Sequence, residues 1–146
     1  MMELDSFPAE LRKQAIEIGQ VLKMEMFPED SVKPKPGKES KPKRFVIIGR
    51  TDDSGVLAAL LVNTRINEKM FSQIAPYQHL VKAADNDYLD HDSHVDCYTV
   101  KEFNSERVLE SAEYLGHIKD EDLAECLEHV RQSPAIKPYL LKKFNL

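Results

Sequence analysis

The chain has 146 residues, 42 % apolar and 31 % charged, and its 20 Lys+Arg against 25 Asp+Glu give a formal charge of −5. That length suits one domain spanning 1–146 that buries about two-thirds of its unfolded surface; the composition excludes long disorder, and the acidic balance excludes a protein that coats nucleic acid over its whole surface. No stretch approaches the roughly 18 apolar residues of a membrane span, and Met1-Met2-Glu3-Leu4-Asp5 lacks the basic and apolar regions of a signal peptide, so the expected setting is the cytoplasm with no membrane partner.

In chain order, Leu11, Ala15, Ile16 and Ile18 recur at helical spacing behind Pro8, with Ser6 as N-cap and Gly19 as stop. The pattern predicts an amphipathic helical extension over about 1–18. Residues 20–27 alternate as a strand with one wet face, ended by Pro28. From 28 to 43, Pro28, Pro34, Pro36, Gly37 and Pro42 among many charges predict an exposed, partly mobile loop. From 33 to 44 the chain carries Lys33, Lys35, Lys38, Lys41, Lys43 and Arg44 against Glu39. Such a run is usually only a solvated loop; in an RNA site it would track phosphates, with affinity falling as salt rises.

Residues 45–49 and 56–63 are apolar β-rich runs around the turn 51–55, which predicts a central hairpin buried on both faces. A helical turn over 66–74, a strand over 78–83, an acidic turn over 85–92, a strand over 94–100 and an edge piece over 112–118 follow. Over 120–132, Leu123, Cys126, Leu127 and Val130 fall at i, i+3, i+4 and i+7, which predicts a helix that Pro134 ends, with a last basic turn over 136–144. Cys97 and Cys126 lie in apolar-periodic segments and are expected to be reduced and buried. The set predicts a mainly β protein with helices, α+β in class, built as a small, partly open barrel of five to six strands with a helix at each end.

The order of segments resembles the MazF/PemK toxin family, whose fold is an SH3-like barrel. Ile18-Gly19-Gln20-Val21-Leu22 resembles the GDVV-type opening strand, and Lys41-Pro42-Lys43-Arg44-Phe45-Val46-Ile47-Ile48 resembles the K-x-R-P-A-L-V-I start of the next one. Leu61-Val62-Asn63-Thr64 is similar to the P-I-T-S or I-N-T strand end, and Ser93-His94-Val95-Asp96-Cys97 to the S-Y/W-V-x-x-D/C strand. Leu115-Gly116-His117-Ile118, followed by Asp120-Glu121-Asp122-Leu123-Ala124-Glu125, resembles the G-R-L-S-x-E-D-L turn and helix, so the likeness runs from about Gly19 to Ser133.

The resemblance implies a metal-independent endoribonuclease, cleaving single-stranded RNA as a homodimer, without a cofactor and with an antitoxin protein as partner. It places the catalytic pair at Arg44 and Thr64. Metal-free cleavage needs a cation matched to the phosphoryl oxygens and a hydroxyl to orient them; Arg supplies a planar fork that stays charged, and preorganised donors stabilise charge in the transition state. Lys41, Lys43 and Arg65 are the expected RNA-backbone contacts. Two departures stand out: Phe45 replaces the family's proline after Arg44, and the preceding loop is longer and more basic than the family's.

Taken alone, an Arg at a strand start is more often a surface ion-pair residue, and a Thr at a strand end a turn former. The competing reading is therefore a non-catalytic SH3-like module that binds protein or nucleic acid. No metal is expected at Asp90, His91, Asp92, His94 and Asp96, because residues i and i+3 of a strand face opposite sides. No nucleotide-binding glycine motif occurs.

Overall fold

The computed structural model describes residues 15–66 and 68–146, and the hairpin that the sequence marks lies at its centre. The predicted N-terminal helix falls outside the described residues apart from 15–18, which run irregularly toward the first strand. In the hairpin, β2 (Lys41–Arg50) pairs antiparallel with β3 (Val56–Asn63) from Arg44↔Val62 to Arg50↔Leu57. Its turn is held by Asp53, whose Oδ1 accepts from Thr51 Oγ1 at 2.7 Å and from the Gly55 N–H at 2.8 Å. Alternation is lost in the apolar runs because both faces are covered. Phe45 and Ile47 pack into one core with Met24, Met26, Leu57 and Phe103, while Val46 and Ile48 pack into another with Leu60, Val95, Cys126 and Val130.

β1 (Gln20–Met26) lies along β2, and β7 (Glu113–His117) along β1. Gly19, at φ +97°, turns the chain into β1 where a Cβ would stand 2.4 Å from the His117 ring, so only glycine fits. β2 starts at Lys41 rather than after 43, so the connecting loop is 27–40. Pro42 joins the strand opposite Glu25, beyond the last β2–β3 pair, at the kind of sheet margin where proline's missing N–H is tolerated.

On the far side of β3 lie β5 (Ser93–Asp96) and then β4 (Gln78–Val81), giving the order β4-β5-β3-β2-β1-β7. β6 (Lys101–Asn104) also pairs with β3, so β5 and β6 follow one another along a single edge. The expected strand over 94–100 breaks between them: Asp96 Oδ1 accepts the Tyr98 N–H at 2.9 Å and turns the chain out before pairing resumes. Among the described residues seven strands therefore form where five to six are expected, curled as an antiparallel half-barrel within a mixed α+β fold.

Among the helices, α1 (Phe71–Ile74) falls in the predicted helical turn. α2 (Ser105–Ser111) has no counterpart in the sequence reading; the Asn104 side chain caps it by accepting the Glu106 and Arg107 N–H groups. α3 (Asp120–Gln132) matches its predicted span and buries Cys126 and Val130, and α4 (Pro138–Lys143) closes the described chain. Both cysteines are buried free thiols. Among the described residues no helix is long and apolar enough to cross a membrane.

Candidate functional site

At Arg44 strand β2 changes from polar to apolar. Phe45, where the resembling family has proline, is fully buried with its ring 5.3 Å from Phe103. Burial of that kind contributes about 1.5–3 kcal/mol and fixes the strand at this point. Alternation then puts Arg44 on the face of Val46, with Lys23 of β1 and Val62 of β3 as its cross-strand neighbours. Lys41 and Lys43 take the other face, with Phe45. Because the hairpin is antiparallel, the start of β2 lies beside the end of β3, where Thr64 and Arg65 follow Asn63.

The result is a cleft of about 390 Å³ lined by Arg44, Thr64, Lys41, Lys43 and Arg65, every residue singled out in the sequence. Lys23 and Asn63 join them, and among the described residues the lining holds five basic side chains and no acidic one. In a chain of charge −5 this is a marked local concentration of positive charge.

The cations are held differently. Lys43 Nζ donates to Asn63 Oδ1. Burial, and then the nearby Lys41 ammonium, lower the Lys43 pKa below the usual lysine value, with Asp96 acting in the opposite sense. Arg44 makes one exposed ion pair, Nη2 to Asp90 Oδ2 at 3.3 Å. Its Nε is buried and has no hydrogen-bond partner among the described residues. Thr64 and Arg65 are exposed.

Three residues of this neighbourhood are missed by sequence reasoning. Lys23 had a signal, as the polar beat of β1 in register with Arg44. Asn63 stood in the quoted strand end without a role. Asp90 had none, since 46 residues separate it from Arg44. Among the described residues no three His, Cys, Asp or Glu side chains gather as a metal group. Asp90 turns to Arg44, Asp92 accepts the Ala83 N–H, and Asp96 binds Gln78 and the Tyr98 N–H.

By sequence, neither a family model nor a curated protein matches the chain. Solved structures do. A chain of the MazE–MazF complex of Deinococcus radiodurans in crystal Form III superposes with a TM-score of 0.54 at 15 % identity, covering 80 % of this chain and 94 % of that one. Form II of the same complex gives 0.55 at 15 % identity, covering 80 % and 93 %. The protein has a MazF-like fold, in a sequence far diverged from those chains.

Proposed function

We propose that this fold carries a metal-independent endoribonuclease of the mRNA-interferase type, which cleaves single-stranded RNA in the Arg44–Thr64 cleft. The observation that supports it is the gathering of Arg44, Thr64 and four further cations in one cleft of an acidic protein. In the reaction the RNA 2′-oxygen attacks the adjacent phosphorus; the P–O2′ bond forms and the P–O5′ bond breaks. The 2′-hydroxyl proton passes to water and the departing 5′-oxygen takes one up, leaving a cyclic phosphate and a 5′-hydroxyl.

Arg44 stabilises the charge that grows on the phosphoryl oxygens. Thr64 orients the same phosphate, and Lys41, Lys43 and Arg65 hold the flanking backbone. The reading includes a homodimer and an antitoxin protein as partner, the latter in line with fold neighbours solved as MazE–MazF complexes.

One observation favours a second reading, an SH3-like module that binds without cutting: among the described residues the cleft lining contains no carboxylate or imidazole to accept the 2′-hydroxyl proton. Incubation with mixed single-stranded RNA, with and without chelator and beside Arg44→Ala, decides between them. Cleavage that survives chelator and falls about 100-fold or more in the variant, as for loss of one charge-stabilising donor, supports the enzyme. Cleavage abolished by chelator refutes the metal-free mechanism, and RNA retention without cleavage selects the module.

A further inference from the structure

We infer that Asp30 and Arg107 form a clip that positions the basic loop, so that Lys35 and Lys38 extend the Arg44 cleft as further contacts for an RNA backbone; the RNA part rests on the function proposed above.

The composition of residues 28–43 predicts a partly mobile loop, yet its start is tied down. The Asp30 side chain, 10 % exposed, receives both terminal nitrogens of Arg107 at 2.7 Å. It also accepts the Phe27 N–H at 2.8 Å, and its carbonyl accepts from Lys101 Nζ at 2.9 Å. A bidentate carboxylate–guanidinium fork fixes direction as well as distance. Arg107 in turn lies 5.5 Å over the Phe103 ring, which packs on Phe45, the neighbour of Arg44. Ser31, at φ 62°, turns the chain out of this anchor, and Val32 packs against the core that holds Phe45.

Past the anchor, Lys35 and Lys38 line a second cavity of about 390 Å³ that shares Lys41 and Pro42 with the Arg44 cleft. Glu25 and Glu39 line it too, leaving lysine in excess. The two cavities adjoin, so Lys35, Lys38, Lys41, Lys43 and Arg44 border one groove. An extended polyanion with phosphates at regular spacing meets that border at several points, whereas a single small anion uses one. Neither clip residue lines a cavity, and among the described residues the clip meets the second one only through Arg107 Nη2, which donates to the Glu25 carbonyl at 3.5 Å; acting through the loop and its neighbours, Asp30 and Arg107 are positioning residues.

The test pairs loop order with salt-dependent binding of a single-stranded oligoribonucleotide. In Asp30→Asn and Arg107→Gln, amide order parameters at Lys35, Gly37 and Lys38 are expected to fall from about 0.85 to below about 0.6. The slope of log K against log salt should shrink by about 0.7 for each phosphate that is no longer neutralised. The exchanged pair, Asp30→Arg with Arg107→Asp, should recover only part of each, since an arginine at 30 cannot accept the Phe27 N–H. Lys35→Ser with Lys38→Ser alters only exposed side chains, and should reduce the slope while leaving the order parameters unchanged. Order parameters that stay high in the single variants overturn the clip. A slope unchanged by the double lysine variant overturns the extended groove. A parent protein that binds no RNA even at low salt overturns the RNA reading and the lysine contacts with it, whereas the order parameters, measured without RNA, still decide the clip.

Discussion

Two Arg–Asp pairs border the same basic region and are built in opposite ways. Arg107 meets Asp30 with two nitrogens at 2.7 Å, and the carboxylate is 10 % exposed. Arg44 meets Asp90 through one nitrogen at 3.3 Å, and that carboxylate is 81 % exposed. The first pair is short and doubly bonded, with its carboxylate largely covered although the Arg107 side chain is 33 % exposed, and a bidentate fork of this kind fixes geometry. The second is single, long and screened, and costs little to open. On the function proposed above, Arg44 needs a counter-ion that it can release on meeting a phosphate, and the exposed Asp90 suits that role.

The comparison is tested most severely by stability. Arg107→Ala is expected to destabilise the fold by about 1.5–3 kcal/mol, the range for hydrogen bonds to charged groups, while Asp90→Ala should stay within about 0.5 kcal/mol of the parent. Urea unfolding of the two variants measures both; equal losses would erase the distinction.

The next effect is in pH. The Arg107 hydrogen bond, helped by the Phe27 amide and opposed by burial, holds the Asp30 pKa below the usual carboxylate value. A pKa lower in the folded than in the unfolded state means stabilisation that is complete above about pH 4 and lost as pH falls through the folded value. The stability gap between the parent and Asp30→Asn should therefore be widest near neutral pH and close in acid. A gap that persists at about pH 2 would show that the pair's contribution is not the carboxylate's charge.

The smallest expected effect is at the cleft. Asp90→Asn removes the competitor for the Arg44 guanidinium and should tighten RNA binding by at most about fivefold, the ceiling for an exposed pair. Salt titration of binding measures it, and weaker binding would mean that Asp90 helps to orient Arg44 rather than masking it.

Much of this organisation is legible from local pattern. The hairpin and α3 follow from apolar runs whose period matches their elements, and antiparallel pairing alone brings Arg44 and Thr64, twenty residues apart, to the same end of the hairpin. β6 and α2 escape because Phe103 is the only apolar residue of a four-residue strand and Val108 and Leu109 the only ones of a seven-residue helix. The Asn104 cap was a usable signal there. Pro42 hid the first residues of β2, since proline argues against a strand unless the absence of a partner on one side is already known. The partners of Arg44 and Asp30 were beyond reach: they lie 46 and 77 residues away, and nothing local encodes them.

That last separation also imposes an order in time. Lys101 and Arg107, which anchor the loop, follow it by 71 and 77 residues, and such contacts form only after the intervening chain has been made and has closed on itself. On a ribosome the cleft-bearing hairpin emerges well before its clip. A newly made chain thus passes through a stage in which the basic loop is present but unfastened, and the groove takes its final shape only once β6 and α2 have docked.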